Sequence, residues 1–102
     1  MAVYISPSGE GSLTARLSGE IDHHSARWLR MDIDTALNDN HPEHLILDFS
    51  AVTFMDSSGI GLVMGRYQVM KNIGGRVSLQ NTPVHIRKVM RLAGLDRFAT
   101  IN

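Results

Sequence analysis

The sequence of 102 residues contains no cysteine, which excludes disulfide bonds and thiolate metal sites. Its charges balance, because ten Lys and Arg residues oppose ten Asp and Glu residues. The long-range attraction that nucleic acid or an anionic membrane requires is therefore lacking. No apolar run is long enough to span a membrane, and residues 1–7 do not lead from basic residues into an apolar segment. We therefore expect a cytoplasmic protein that binds a protein or a small ligand.

The order of the predicted elements indicates an α/β fold. A chain of this length can bury one core and is too short for two, so we expect a single domain over residues 1–102. Strands at residues 3–5 and 13–17 form an antiparallel hairpin. A turn at residues 19–22 follows, and helices then alternate with strands up to a last strand at residues 98–101. This alternation predicts a mixed sheet of about five strands with three helices packed on it.

The second helix begins after a central strand at residues 45–49 and a link at residues 50–53. A helix start leaves backbone N–H groups without intrahelical partners, and Asp56 or Ser57 can accept hydrogen bonds from them as the N-cap. Ser57 and Ser58 thereby lie at the positive end of the helix dipole. A carboxylate and a glycine that lets a partner approach the backbone accompany them.

The other two helices also begin at residues that favour capping. Asp22 is the expected N-cap of the first helix. Thr82 is the expected N-cap of the third, where Pro83 takes the first helical position. Inside the second helix, Gly61 and Gly65 each cost about 1 kcal/mol relative to alanine. We expect close packing of that helix on the sheet to offset this cost.

The two serines of the second helix start admit three interpretations. As nucleophiles they would make the protein a small serine-dependent hydrolase, but the Gly-x-Ser-x-Gly elbow and a histidine with triad spacing are missing from the sequence. As part of a helix cap they would serve stability alone. As exposed hydroxyls at a helix N-terminus they are suited to carry phosphate, because the N–H groups and the dipole stabilise a dianion.

We predict neither a metal site nor a cofactor. His23 and His24 are adjacent on a helix, so their side chains leave it about 100° apart and chelate one ion poorly. Asp48 weakly resembles the phosphoacceptor aspartate of response-regulator receivers, but the opening hairpin does not fit that fold. Trp28 falls between the apolar positions of its helix, either partly buried or on a contact surface.

Three segments resemble the anti-sigma factor antagonists of the STAS domain family, and most of all the sporulation anti-anti-sigma factors. They are Leu17-Ser18-Gly19-Glu20-Ile21-Asp22-His23-His24, Phe54-Met55-Asp56-Ser57-Ser58-Gly59-Ile60-Gly61 and Gly65-Arg66-Tyr67. They occur in the family's order, and the resemblance runs from the first strand to the last. The family's final helix has no counterpart before Asn102.

The resemblance implies a binding protein without catalytic activity that acts by partner switching. Unphosphorylated, it would bind an anti-sigma factor that is also an ATP-dependent serine kinase, and so release a sigma factor. The kinase would phosphorylate Ser58, and a serine phosphatase would reverse this. Asp56, Ser57 and Gly59 would flank the acceptor at the contact surface, and Asp22 matches a family residue implicated in kinase binding. The alternative within this fold is a STAS module of a stress-response or ligand-sensing complex.

Overall fold

The structure of the protein is a computed structural model that describes residues 2–102. Residue 1 of the predicted domain lies outside the described range. The strands are β1 (Ala2–Pro7), β2 (Ser12–Ile21), β3 (His44–Met55), β4 (Arg76–Gln80) and β5 (Thr100–Ile101). The helices are α1 (His23–Asn40), α2 (Ser57–Asn72) and α3 (Val84–Leu92), and a 3-10 turn spans Leu95–Arg97.

The five described strands form one sheet in the order β1-β2-β3-β4-β5. β1 runs antiparallel to β2 and forms the opening hairpin, while each later pair of neighbours is parallel. Each parallel step requires a crossover connection, which α1, α2 and α3 supply in turn. The predicted mixed sheet with three helices is confirmed.

The hydrophobic core lies against one face of the sheet. Successive side chains of a strand point to opposite faces, and the three central strands bury every second one. The buried strand residues are Leu13, Ala15, Leu17, Ile21, Leu45, Leu47, Phe49, Val52, Met55, Val77 and Leu79. The helices add Leu29, Ile33, Leu37, Leu62, Val63, Met70, Ile86 and Met90 to the same cluster. The sheet face away from this cluster carries polar side chains such as Arg16, Asp48 and Ser78.

The prediction of two irregular segments is wrong, because β2 and β3 continue through both of them. The predicted turn at residues 19–22 belongs to β2 as far as Ile21, and the predicted link at residues 50–53 lies inside β3. Gly19 has φ +83° and sits where the β2–β3 register shifts, so this glycine serves a bulge and not a turn. The two strands therefore extend together beyond β4, which pairs with β3 only as far as Asp48.

The end of the chain also differs from the prediction. The N-cap of α3 is Pro83, one residue after the expected Thr82. The Thr82 hydroxyl is buried and has no hydrogen-bond partner within residues 2–102, so it does not cap the helix. Its backbone N–H instead donates to the Asn102 carbonyl oxygen over 3.0 Å. The last strand begins at Thr100 and not at the predicted residue 98, because the N–H groups of Phe98 and Ala99 donate to the Leu95 carbonyl oxygen in the preceding 3-10 turn.

The expectation that Gly61 and Gly65 bring α2 close to the sheet is wrong. A Cβ added at either position would meet no heavy atom of the described chain within 4 Å. Close packing instead occurs at Gly59, where an added Cβ would collide with the Met55 side chain and lie 3.3 Å from Ile21 Cγ2. Gly59 thus lets the first turn of α2 rest on the ends of β2 and β3.

Gly59→Ala is expected to destabilise the fold, and Gly61→Ala to stabilise it. Overpacking against buried Met55 costs about 1–3 kcal/mol, which exceeds the gain of at most about 1 kcal/mol from helix propensity. At Gly61 the new methyl group meets open space, so only the favourable propensity term remains. Urea unfolding of both variants and the parent measures the difference. Equal stability of Gly59→Ala and the parent would show that Met55 repacks without cost.

Candidate functional site

The ends of β2 and β3 bring the starts of α1 and α2 together. Ile21 and Met55, the last residues of these parallel strands, are paired, and the Asp56 N–H donates to the Ile21 carbonyl oxygen over 3.1 Å. The next residue after each strand is a helix N-cap, Asp22 for α1 and Asp56 for α2. Two helix N-termini, each with N–H groups that lack intrahelical partners and with a positive dipole end, therefore lie side by side at one sheet edge.

Asp22 is the N-cap of α1, as predicted, and the structure adds that Asp22 and Ser25 form a reciprocal capping box. Its Oδ1 accepts from the backbone N–H groups of His24 and Ser25 over 3.0 and 2.9 Å. Ser25 Oγ accepts from the Asp22 N–H over 2.9 Å and donates to the Glu20 carbonyl oxygen over 2.8 Å. The hydrogen bond from the Ser25 backbone N–H is the main cause that holds the pKa of the Asp22 carboxyl below its usual value.

Asp56, and not Ser57, is the N-cap of α2. Its Oδ1 accepts from the Ser58 backbone N–H over 2.8 Å, and its carbonyl oxygen accepts from the Gly59 N–H over 3.0 Å. The Ser57 side chain is exposed, those of Asp56 and Ser58 are half-buried, and Gly59 is buried. The geometry thus places two serines at the surface beside a fixed carboxylate.

A groove of about 540 Å³ runs between α1 and α2, and Ser58 lies on its wall. We call it the α1–α2 groove; its lining residues are His23, Ala26, Arg27, Arg30, Ser58, Gly61, Leu62, Gly65 and Arg66. On each helix these residues are spaced by three and four, which places them on one helix face. Gly61 and Gly65 have no side chains to fill the space, so the groove stays open.

Arg66 is a buried cation of this groove to which the sequence analysis assigned no role. Its side chain is 4% exposed, and its Nε lies 2.8 Å from Asp34 Oδ1 on α1. This distance makes an ion pair, but neither atom has a hydrogen bond of good geometry within residues 2–102, and Arg66 Nη1 also lacks one. Burial lowers the pKa of the Arg66 guanidinium, Asp34 opposes this effect, and the charge of Arg30 adds to it.

The other candidate residues lie outside this arrangement or at its margin. The rings of His23 and His24 stack at 4.8 Å, so side-chain rotation brings them together despite their divergent backbone directions. In the described part of the chain, no three His, Cys, Asp or Glu side chains form a group that could hold a metal ion. Trp28 is 54% exposed and borders a depression that it shares with Asp22. Asp48 lies on the polar sheet face, where its Oδ1 accepts from the Ser50 N–H over 2.9 Å.

Of the helices within residues 2–102, none is both long and apolar enough to cross a membrane.

A family model for the STAS domain matches residues 6–102, and the chain therefore belongs to the STAS domain family. The anti-sigma F factor antagonist of Paenibacillus polymyxa is 39% identical over 93 residues, which cover 89% of this chain and 78% of that protein. Among solved structures, the anti-sigma factor antagonist SpoIIAA in its unphosphorylated form superposes with a TM-score of 0.84 at 34% identity, covering 99% of this chain and 88% of that one. The family predicted from the three sequence segments is thus confirmed.

A second solved structure is the Bacillus cell fate determinant SpoIIAA in its phosphorylated form. Its TM-score is 0.76 at 34% identity, and the match covers 99% of this chain and 91% of that one. The fold therefore resembles that of a relative whose structure is known with and without phosphate.

Asp22→Asn is expected to make the stability less dependent on acidic pH. The lowered pKa belongs to the folded state, so the ionised carboxylate stabilises the fold above its usual pKa and loses this effect as pH falls through the lowered pKa. Asn keeps an oxygen acceptor at the N-cap and removes the charge. Thermal unfolding should show the parent to be more stable near neutral pH, with the two proteins converging in acid.

Asp32→Asn is the matched control, since Asp32 is an exposed carboxylate on the same helix. It should not reproduce the convergence of the Asp22 variant. A stability difference between Asp22→Asn and the parent that stays constant from neutral to acidic pH would contradict a role for the cap charge.

Proposed function

We propose that this protein is an anti-anti-sigma factor without catalytic activity. In its unphosphorylated form it binds an anti-sigma factor that is also a serine kinase, which releases a sigma factor. The kinase inactivates it by phosphorylating Ser58, and a serine phosphatase restores it. The relative from Paenibacillus polymyxa, named an anti-sigma F factor antagonist, and the SpoIIAA structures in two phosphorylation states support this proposal.

The placement of Ser58 in the first turn of α2 gives the main support for this proposal. The hydrogen bond from its backbone N–H to Asp56 fixes the acceptor relative to the sheet edge. Its side chain is half-buried and lines an open groove, so the hydroxyl has room for a larger substituent. The adjacent helix N-terminus favours the negative charge that a phosphate brings.

The contact surface for the anti-sigma factor comprises the two helix starts. Asp22 and Asp56 present carboxylates there, and Ser57 is exposed between Asp56 and the acceptor. Gly59 is buried beneath this surface, so we propose that it acts by holding the first turn of α2 against Met55. Trp28 borders the same depression as Asp22 and offers an exposed aromatic side chain of the kind enriched at binding hot spots.

Hydrolysis by a serine nucleophile receives little support from the geometry. His23 and Ser58 line the same groove, but within residues 2–102 no hydrogen bond joins His23 to Ser58 or to a carboxylate. A serine nucleophile needs a base that is itself oriented by a third group. We therefore propose that the hydroxyl accepts a phosphate and performs no chemistry of its own.

Ser58 alone is expected to accept phosphate. Incubation with candidate anti-sigma serine kinases and ATP should add one phosphate to the intact mass, and peptide mapping should place it on Ser58. Ser58→Ala should abolish the modification while leaving the fold intact, because Asp56 caps the helix. Ser57→Ala is the matched control and should still be modified. Phosphate on Ser57 or Thr53 would contradict the assignment.

Phosphorylation is expected to weaken anti-sigma factor binding more than a hundredfold. A phosphoserine adds a charge of about −1.5 to −2 beside Asp56, and the partner must desolvate it where a small hydroxyl had packed. A loss of about 3 kcal/mol is enough for this change. Calorimetry should find weak binding for Ser58→Asp. The Ser58→Asn variant, whose side chain has the size of Asp without its charge, should bind more tightly.

The same variants test whether the switch is local. Backbone NMR shifts of Ser58→Asp should change mainly at residues 55–61 and in the neighbouring segment that contains Asp22. Shift changes across the whole sheet, or undiminished binding by the phosphorylated protein, would overturn the proposed mechanism.

A further inference from the structure

We propose that the α1–α2 groove receives the phosphate group of phosphorylated Ser58, and that Arg27 and Arg30 hold it by ionic contacts. The modified side chain then folds back onto its own domain. This rests on the proposed function, because it requires a phosphate on Ser58. It goes beyond that function by assigning the phosphate an intramolecular binding site on α1.

The two helices place the groups on facing walls. Ser58 lies in the first turn of α2, while Arg27 and Arg30 lie one and two turns into α1, which begins at the same sheet edge. Helical side chains lean towards the N-terminus of their helix. On α1 this direction is towards the end of the groove where Ser58 lies, so rotation of the two long side chains can bring their guanidinium groups to a phosphate on Ser58. Both arginines are exposed and free to adjust.

The groove carries an excess of positive charge, which favours the binding of an anion. Its lining includes three arginines, Arg27, Arg30 and Arg66, and none of the lining residues is acidic. Among the carboxylates of α1 and the α2 start, Asp34 pairs with Arg66 Nε, and Asp56 caps α2. His23 is the remaining titratable lining residue. Guanidinium groups exceed carboxylates around this space, so a phosphate would gain more attraction than repulsion.

Buried Arg66 gives independent support for an anion. It is more than nine-tenths buried, and its Nη1 has no hydrogen-bond partner within residues 2–102. A buried guanidinium with an unsatisfied nitrogen atom is costly even beside Asp34, and the like charge of Arg30 destabilises it further. An anion in the groove would offset both effects, because its charge attracts Arg30 and Arg66 alike.

The groove also has the necessary space. Added Cβ atoms at Gly61 and Gly65 would meet no heavy atom of residues 2–102 within 4 Å, so these glycines leave an opening along α2 from Ser58 towards Arg66. The Arg27 Cζ lies 5.7 Å from the Trp28 ring centre, a weak contact at an exposed site that an ionic contact can replace. Two glycines that do not pack on the sheet thus acquire a role.

The test measures the second pKa of the phosphate by phosphorus NMR. An expanded genetic code installs phosphoserine in place of Ser58 during synthesis, so no kinase is needed. The matched control carries phosphoserine in place of Ser57, which is exposed at the same helix N-terminus and outside the groove lining. The pKa of a free phosphoserine is about 6, and neighbouring cations lower it while Asp56 opposes them.

We expect the phosphate at position 58 to titrate roughly 0.5–1 pH unit below that at position 57. Arg27→Ala combined with Arg30→Ala should raise the value at 58 towards the value at 57, and the single variants Arg27→Gln and Arg30→Gln should each give part of this rise. Lys88→Ala on α3, which removes the same charge away from the groove lining, should change neither value. Repeating the titrations with His23→Gln removes the contribution of the groove histidine.

Equal values at positions 57 and 58 in the parent would overturn the proposal. A low value at 58 that persists in the double arginine variant would also overturn it, because the helix N-terminus alone would then account for the effect. Arg27 and Arg30 are exposed, so their replacement should leave the amide NMR spectrum of the core unchanged. A protein that no anti-sigma kinase modifies could still show the lowered value, so failure here differs from failure of the proposed function.

Discussion

The parallel pairing of β2 with β3 beyond the end of β4 is the constraint on which the site depends. Ile21 and Met55 end the two strands as paired residues, and the Asp56 N–H donates a hydrogen bond to the Ile21 carbonyl oxygen. Each strand then passes directly into a helix through an aspartate cap. The side-by-side helix starts, the serines between them and the groove behind them all follow from this single register.

Negative charge lies at the two helix starts, which we call the rim, and positive charge lies further along the α1–α2 groove, which we call the interior. Asp22 and Asp56 occupy the rim as caps, where Oδ1 of each carboxylate accepts hydrogen bonds from backbone N–H groups. The arginines lie further along the helices, and Arg66 is buried with an ion pair to Asp34. Ser58 lies where these two zones meet. A dianion introduced there changes the rim strongly, while the interior already holds cations that can accommodate it.

Local features of the site could be predicted because they depend on neighbouring residues in the sequence. The capping roles of Asp22 and Asp56 follow from side-chain chemistry at a helix start, and the family resemblance rests on contiguous segments. The continuation of β2 and β3 could not be predicted in the same way. Gly19 is typical of a turn when considered alone, and only pairing with the distant β3 gives it a place in a strand bulge.

The α1–α2 groove escaped prediction for a related reason. Gly61 and Gly65 predict close packing because they are small and lie about one turn apart. The direction that each faces depends, however, on how α2 packs on the sheet. The arginine spacing on α1 predicts a helix face, and it does not reveal that this face lies opposite Ser58. Thr82 shows the same limitation on a smaller scale, because its backbone is held by Asn102 at the far end of the chain.

The two aspartate caps are separated in sequence by the whole of α1 and β3 and meet only through a parallel crossover. Such pairing forms late relative to local structure, because the intervening loop must close first. An incompletely folded chain would expose Ser58 as part of a linear peptide, yet it would lack the adjacent helix starts. A partner that recognises both starts would therefore distinguish the folded protein from a nascent or damaged chain.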